Sequence, residues 1–322
     1  MDHTEMDGVG VSQGGQEITE SLRESRISEK PASKERSFVN LLDLPWDDIL
    51  ISHILPYLSL TQLFQLQRVS RDFHELIQEF LASQTVFDFS VVSSKLTKEA
   101  FLMAVEHTNL LRELSLRNCK GWLKDDILIP VISRNQQLQK IDLGGCSGLT
   151  SKIIQCIAAN CQSLQSISLS ECHWVQAPSI EMLALNCSQL EHVNLMSCWE
   201  LDDETILTLI MTHPGLKYLS LAKIYGITDV VIDMLARSCS QLEFLSVQGC
   251  WRITNSVVRL LGDYCPKLNQ LEVEDCRDIN EGSLARLRVK GIKIDVPAQK
   301  VRNPLAHQTA MFAACPPLYH QI

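Results

Sequence analysis

The chain has 322 residues, of which 45% are hydrophobic and 21% charged, with a formal net charge of −9 at pH 7. These proportions are ordinary for a globular protein, and the acidic balance disfavours nucleic acid and anionic membranes as partners. Since no run of about 18 apolar residues occurs, no membrane span is predicted.

The N-terminal region is predicted to be a disordered tail. Residues 1–37 hold few large apolar side chains and many Gly, Ser, Glu and Lys, so they cannot offset the entropy of ordering. The opening residues also lack the basic and then apolar pattern of a secretory signal. We therefore expect a cytoplasmic protein, with nuclear presence left open.

Residues 38–83 carry two apolar runs and are predicted to form three short helices. Pro45 suits the start of the first helix. The run from Leu63 to Phe80 places apolar residues at steps of three or four, the spacing of one helix face. So small a unit cannot bury all of these side chains. The excess predicts either a partner-binding face or a cap packed on the following domain.

Residues 84–110 are predicted to cap a repeat domain. Phe87 and Phe89 belong to an alternating stretch that indicates a strand. A helix holding Phe101 and Val105 follows. Such caps are needed because the end of a stack of repeats would otherwise expose an apolar face.

From residue 111 onward the pattern L-x-x-L-x-L-x-x-C recurs in seven copies, first after 27 and then every 26 residues. This is the pattern of a leucine-rich repeat. After the strand motif, an i, i+3 apolar pair marks a helix face, and five copies begin that helix with a residue able to cap it. These helix-start residues are Thr150, Asp202, Thr228, Thr254 and Asn280.

The sequence therefore predicts an α/β repeat solenoid, a leucine-rich-repeat horseshoe of the cysteine-containing type, over residues 111–296. The units must stack to bury their apolar faces, with parallel strands on the concave face and helices on the convex one. The alternating stretch Ile292–Val296 is predicted to close the sheet. For residues 297–322, a disordered tail and a segment folded back on the solenoid both stay open.

The twelve cysteines include no C-x-x-C pair of the kind that binds zinc. Ten of them occupy two repeat positions, at the strand end and near the helix end. Asn135 and His213 fill the second position elsewhere. A position that accepts Cys, Asn or His is predicted to be tight and to bond a turn carbonyl or N–H, with no metal or cofactor.

Side chains that alternate with the buried leucines face outward. The middle and later repeats place Met196, Tyr218 and Phe244 on this face, and they should be near neighbours because parallel strands lie about 4.8 Å apart. Aromatic residues beside polar ones are typical of interaction surfaces. The candidate substrate-binding residues are Arg117, His192, Asn194, Met196, Trp199, Tyr218, Tyr225, Phe244, Gln248, Trp251, Glu272 and Glu274. For the aromatics at the strand ends, the alternative is that they only cover the edge of the solenoid.

No catalytic arrangement is found in the sequence. It contains no phosphate-binding Gly-rich loop, no H-E-x-x-H and no nucleophile elbow. The nine histidines are scattered. The chain is therefore predicted to be a non-catalytic interaction protein.

The stretch from Leu44-Pro45 to Phe73 resembles an F-box, a motif that begins L-P-x-x-x-L and ends in V-x-R-x-W or a similar aromatic. The order and spacing match across the motif, and Phe73 stands where many members have Trp. An F-box followed by cysteine-type repeats is typical of the F-box/leucine-rich-repeat family. The resemblance covers residues 40 to about 296.

This resemblance implies a substrate-recognition subunit of an SCF (Skp-cullin-F-box) E3 ubiquitin ligase. The F-box would bind a Skp-type adaptor, and through it cullin and RING subunits, while the solenoid would hold a protein substrate for ubiquitination and proteasomal degradation. The adaptor-binding residues it implies are Leu44, Pro45, Ile49, Leu50, Ile54, Leu55, Leu58, Leu63, Leu66 and Val69. The nearest resemblance within the family implies a Smurf-type HECT ubiquitin ligase as the target, and hence positive regulation of BMP signalling.

Two other hypotheses follow from the residues. A stand-alone leucine-rich-repeat scaffold or inhibitor protein would use the N-terminal helices only as a cap. A metal- or redox-dependent enzyme would use the cysteines.

Overall fold

The computed structural model describes residues 40–298, and the predicted N-terminal tail and residues 299–322 lie outside this range. The chain divides into two compact units, Met1–Asp43 and Leu44–Ile322. Of the first unit only residues 40–43 are described, and they contain a 3-10 helix, Leu41–Asp43. Within residues 40–298, no helix has both the length and the apolar content needed to cross a bilayer.

The second unit begins with the helical segment that resembles an F-box. Its elements are a π-helical segment (Trp46–Ile54), a 3-10 turn (Leu55–Tyr57), and the helices α1 (Leu60–Leu66) and α2 (Arg71–Ser83). Ser59 and Gln62 form a capping box at the start of α1, which satisfies two backbone N–H groups of that turn. The predicted helix start at Pro45 is confirmed, because Pro45 directly precedes the first helical residue.

The single helical run predicted from Leu63 to Phe80 was wrong. Helix α1 ends at Leu66, and a second helix starts after Ser70, whose hydroxyl accepts a hydrogen bond from the Phe73 N–H at 3.2 Å. This N-cap fixes a new helix start although the apolar spacing continues across the break. Val69 consequently lies on the turn between the helices and is 66% exposed.

Nine parallel strands form one sheet whose strand order follows the chain. They are β1 (Val86–Asp88), β2 (Glu113–Ser115), β3 (Lys140–Asp142), β4 (Ser166–Ser168), β5 (His192–Asn194), β6 (Tyr218–Ser220), β7 (Phe244–Ser246), β8 (Gln270–Glu272) and β9 (Lys293–Ile294). Because the repeats pair in register, equivalent side chains form columns across the strands. Tyr218, for example, pairs with His192 on one side and Phe244 on the other.

The helices of the repeats lie on the opposite side of this sheet and bury their apolar pairs against it, as Ile154 and Ile157 do. They are α3 (Lys98–Val105), α4 (Asp125–Arg134), α5 (Ser151–Asn160), α6 (Ala177–Asn186), α7 (Asp203–Thr212), α8 (Asp229–Ser238), α9 (Asn255–Tyr264) and α10 (Glu281–Val289). Parallel strands alternating with helices, with a core of regularly spaced leucines, confirm the predicted α/β repeat solenoid.

Helix capping follows the prediction in four of the five copies. Thr150, Asp202, Thr228 and Thr254 each accept a hydrogen bond from a backbone N–H in the first turn of their helix. Asn280 precedes α10, but its side chain makes no capping bond, so the prediction was wrong there. The Asn280 N–H instead donates to the Asn255 side chain of the preceding helix at 3.0 Å, and the Ser283 hydroxyl donates to the Asn280 carbonyl.

The two ends of the sheet are built differently from the repeats between them. At the first end, Phe87 and Phe89 are buried with ring centroids 5.3 Å apart, as expected of a cap. At the last end, the predicted strand Ile292–Val296 was too long, since β9 contains only Lys293–Ile294. The chain leaves the sheet at Asp295, whose carboxylate rather than its backbone bonds the neighbouring strand.

Candidate protein-interaction surfaces

The ten predicted adaptor-binding residues differ in their burial. Leu50, Leu55 and Leu63 are almost fully buried and form the core of the helical unit. Pro45 and Val69 are exposed. The remaining five are half-buried: Leu44, Ile49, Ile54, Leu58 and Leu66. The seven accessible side chains could contact a partner, whereas the three buried ones could only support that surface.

An inner aromatic row crosses the concave face and consists of His192, Tyr218 and Phe244. The rings of Tyr218 and Phe244 are stacked with centroids 4.2 Å apart and an interplanar angle of 4°. His192 stacks more loosely, at 6.3 Å from Tyr218. Burial raises the pKa of the Tyr218 phenol, the negative charge of Glu272 raises it further, and Arg117 opposes this. The prediction that Tyr218 and Phe244 are close neighbours is confirmed.

A second row of aromatic rings, the rim aromatic row, lies just past the strand ends and comprises His173, Trp199, Tyr225 and Trp251. Trp199, Tyr225 and Trp251 are all about half exposed. His173 stacks on Trp199, with centroids 4.0 Å apart. His173 was not among the predicted residues, although it stands one 26-residue repeat before Trp199 and so occupies the same position.

A cavity of about 380 Å³ opens in the rim row. It is lined by Lys223, Tyr225, Gly249, Trp251, Asp275, Cys276 and Arg277. Lys223, Gly249 and Asp275 precede successive strand-end positions and all adopt left-handed backbone conformations, with φ near 60–72°. This conformation turns the chain sharply out of the strand, so the aromatic residue that follows two positions later, as Tyr225 and Trp251 do, stands at the edge of the sheet.

The structure does not bring all of the predicted substrate-binding residues together. Arg117 follows strand β2, three strands before that of His192. Its guanidinium lies 3.8 Å from the Asp142 carboxylate, so it reaches the aromatic residues only through its charge on the Tyr218 phenol. Asn194 is engaged locally, because its side-chain oxygen accepts the Met196 N–H at 3.1 Å. The aromatic members therefore form the connected part of the predicted surface.

The last strands form an acidic end of the concave face, defined here as Glu272, Glu274 and Asp275. Glu272 accepts a hydrogen bond from the Gln270 side chain at 3.0 Å, and none of the three carboxylates forms an ion pair within residues 40–298. Gln248 is held at this end by a 3.0 Å hydrogen bond to Asp295. The carboxylates earlier on this sheet differ, since Glu113 and Glu191 are each 2.7 Å from a lysine ammonium.

The cysteines occupy the predicted tight positions in the repeats. At the strand ends, the Cys146 and Cys172 thiols donate to the carbonyls of Leu116 and Leu143 in the preceding repeat, at 3.0 and 3.2 Å. Burial raises the pKa of both thiols to about 12. Over residues 40–298 there is no group of three or more His, Cys, Asp or Glu side chains placed to hold a metal ion.

The second cysteine position has the same bonding role. Cys187 donates to the Cys161 carbonyl at 3.5 Å, and His213, which fills the position one repeat later, lies 2.9 Å from the Cys187 carbonyl through its Nε2. Asn135 fills it in the first repeat and donates to the Thr108 carbonyl at 3.2 Å. The exchange of Cys, His and Asn is thus explained by a shared donor function toward the preceding repeat.

No family model matches the chain. It is 40% identical over 138 residues to F-box/LRR-repeat protein 15 of Rattus norvegicus, and equally to F-box/LRR-repeat protein 15 of Mus musculus. Each match covers 43% of this chain and 46% of the relative, so the chain matches about half the length of these curated relatives.

Two solved structures match the chain with low TM-scores. The structure of the Rad7 and Elc1 complex in yeast matches with a TM-score of 0.36 and 15% identity, over 77% of this chain and 88% of that chain. The leucine-rich repeat-containing protein LegL7 from Legionella pneumophila matches with a TM-score of 0.42 and 10% identity, over 64% and 70%. At these TM-scores neither structure carries an argument about this chain. The resemblance to F-box/leucine-rich-repeat proteins is confirmed by the sequence match to relatives that bear that name.

Proposed function

We propose that this chain is the substrate-recognition subunit of an SCF-type E3 ubiquitin ligase. One observation carries the proposal: a small helical unit with the F-box motif leaves apolar side chains accessible and directly precedes a leucine-rich-repeat solenoid. A group of accessible apolar side chains is more typical of a partner-binding surface than of the solvent-facing surface of a domain. The two parts would each bind a different protein.

In this proposal the helical unit binds a Skp-type adaptor, which connects it to cullin and RING subunits. Val69 on the turn between α1 and α2, together with Pro45, would contact the adaptor directly. The concave face and rim would hold a protein substrate. The chain would catalyse no step itself, but would raise the effective concentration of the substrate near a ubiquitin-loaded enzyme.

The finer part of the proposal concerns the target and the cell compartment. A Smurf-type HECT ubiquitin ligase as substrate and positive regulation of BMP signalling are supported only by the resemblance seen in the sequence. A cytoplasmic site of action is supported only by the lack of a secretory signal pattern in the opening residues. Ubiquitination of a purified Smurf-type ligase by the reconstituted complex would test the target. If the ligase is neither bound nor modified, the target is another protein.

The adaptor interface is best tested with a matched pair of valine substitutions. Val69 is 66% exposed on the F-box turn, and Val91 is 86% exposed outside the F-box. Val69→Asp should abolish capture of a purified Skp-type adaptor, because it places a charge in an apolar contact. Val91→Asp should leave the capture unchanged, and circular dichroism should show both variants folded.

The alternative is a stand-alone leucine-rich-repeat scaffold or inhibitor whose N-terminal helices only cap the solenoid. Its supporting observation is that the F-box-like helices already pack on the cap: Gln67, after α1, is buried and contacts Met103 of α3. If the wild-type chain fails to capture the adaptor, or if Val69→Asp captures it as well as wild type does, this alternative replaces the proposal.

A further inference from the structure

Two rows of aromatic side chains run side by side across the later strands of the solenoid. The inner aromatic row reaches Phe244 in strand β7, and the rim aromatic row reaches Trp251, seven residues further along the same repeat. Both rows cross the strands, because equivalent positions of successive repeats stand side by side. A binding partner that follows them would therefore lie across the strands.

Between the two rows lies a strip in which the repeats of β6 and β7 have four outward positions; three hold small side chains and the fourth holds Gln248, which bonds Asp295. Ser220 and Ser246 pair in register on the concave face, and Ala222 follows two residues after Ser220, beyond the end of β6. All three are almost fully buried, so the strip lies below the aromatic rings that flank it. An extended chain that crosses the strands here would pass between the two rows and could contact both.

One polar group in this strip lacks a partner. The Ser246 side chain is 2% exposed, and its hydroxyl forms no hydrogen bond with any residue between 40 and 298. A buried hydroxyl without a partner is unfavourable by itself. The backbone of an extended chain lying on the strip would supply the missing acceptor or donor.

The strip ends at the acidic end of the concave face. Ser246 pairs in register with Glu272, and Glu272 acts electrostatically on the Tyr218 phenol. Unlike Glu113 and Glu191, the carboxylates of Glu272 and Glu274 have no lysine or arginine partner within the described range. Unpaired carboxylates beside an aromatic surface favour a partner that brings its own positive charge.

From these observations we infer that the strip between the two aromatic rows binds an extended polypeptide segment in which an apolar anchor is followed, about three residues away, by a basic side chain. The spacing follows from the geometry: Glu272 is two strands from Tyr218, about 10 Å, and an extended chain advances about 3.3 Å per residue. The anchor would lie against Tyr218 and Phe244, and the basic group against Glu272 and Glu274. The inference rests on the proposed function only in taking this segment to belong to the substrate.

The probe is a fluorescein-labelled synthetic peptide, Ser-Phe-Pro-Phe-Gly-Gly-Arg-Arg-Ser, with a second peptide carrying the same residues in reverse order, because the structure does not set the chain direction. In the control peptide, both arginines are replaced by glutamates. Fluorescence anisotropy with the full-length chain should show binding of one arginine peptide that weakens as salt is added. The glutamate peptide should not bind.

On the protein side, the variant Glu272→Gln/Glu274→Gln should weaken binding of the arginine peptide by about three- to tenfold, as expected for two exposed charge pairs. The control Glu75→Gln/Glu79→Gln removes the same charge from exposed positions on α2 and should leave binding unchanged. Phe244→Ala should remove binding of the arginine peptide, with circular dichroism to confirm the fold.

The inference is overturned if neither arginine peptide binds, if the glutamate peptide binds equally well, or if the two glutamine variants behave alike. These outcomes are independent of adaptor capture. A chain that binds the arginine peptide but no Skp-type adaptor would keep the strip as a peptide site and reject the ligase proposal. A chain that captures the adaptor but not the peptide would keep the ligase proposal and reject the strip as a peptide site.

Discussion

The carboxylate of Asp295 accepts a hydrogen bond from the backbone N–H of Val273, at 2.9 Å. In the preceding repeat, the equivalent N–H of Val247 donates to the Glu272 backbone carbonyl, also at 2.9 Å. The second oxygen of Asp295 accepts the Glu274 N–H at 2.9 Å. The Asp295 side chain thus supplies the acceptors that a further strand would otherwise supply. As a result, fewer backbone N–H groups at this edge of the sheet lack an acceptor.

Replacing Asp295 should therefore loosen the last repeat. Asp295→Ala is expected to lower the free energy of unfolding by about 1–3 kcal/mol, because the partly buried Val273 N–H and the exposed Glu274 N–H both lose their acceptor. Hydrogen exchange should show faster exchange at the Val273 and Glu274 amides. Asp263→Ala, which removes only a surface partner of Lys290, should cost no more than about 1 kcal/mol; equal effects of the two variants would contradict this account.

Neighbouring helices are joined by a pair of hydrogen bonds at their N-termini. The Asp229 carboxylate, in the first turn of α8, accepts the Thr254 N–H at 2.8 Å and the Thr254 hydroxyl at 2.7 Å. The two residues should be coupled by about 0.5–2 kcal/mol in a double-mutant cycle of Asp229→Ala and Thr254→Val, measured by urea unfolding. A parallel cycle with Asp233→Ala, whose carboxylate pairs with Arg237 instead, should give additive effects.

The repeat period made the concave face predictable. A constant spacing of 26 residues forces equivalent positions into columns, so the proximity of Tyr218 and Phe244 followed from the sequence alone. The helix caps were predictable for the same reason in four of the five copies that carry a capping residue. The same argument could have predicted that His173 stacks on Trp199, because the two residues occupy equivalent positions in successive repeats.

Features that depend on one side chain rather than on the period were not predictable. The break between α1 and α2 depends on the Ser70 hydroxyl, while the apolar spacing from Leu66 to Phe73 continues as if no break were there. The closing strand was drawn too long because the alternation of Ile292–Val296 cannot reveal that Asp295 bonds through its carboxylate. The structure also divides the predicted adaptor-binding residues into three buried and seven accessible side chains, which the spacing of the F-box motif does not reveal.

The strand-end cysteines should react only when the solenoid opens. Burial raises the pKa of the Cys146 and Cys172 thiols to about 12, so the reactive thiolate is scarce at about pH 8. Alkylation with iodoacetamide, followed by peptide mass spectrometry, should label these two cysteines far more slowly in the native chain than in urea. Rapid native labelling of Cys146 or Cys172 would show that these positions are accessible and could serve a redox function.

The phenol of Tyr218 should ionise only above the ordinary tyrosine pKa of 10.0, because burial first and then the charge of Glu272 favour its neutral form. The folded state holds the Tyr218 proton more tightly than the unfolded state does. The phenol therefore contributes its full stabilisation of the fold below pH 10.0, and this contribution is lost as the pH rises through the folded pKa. Tyr218→Phe should lack this loss in unfolding measurements, and the absorbance difference between wild type and Tyr218→Phe should report the titration directly. Glu272→Gln should move that titration to lower pH. A Tyr218 phenol that titrates at or below the ordinary value would contradict both its burial and its electrostatic link to Glu272.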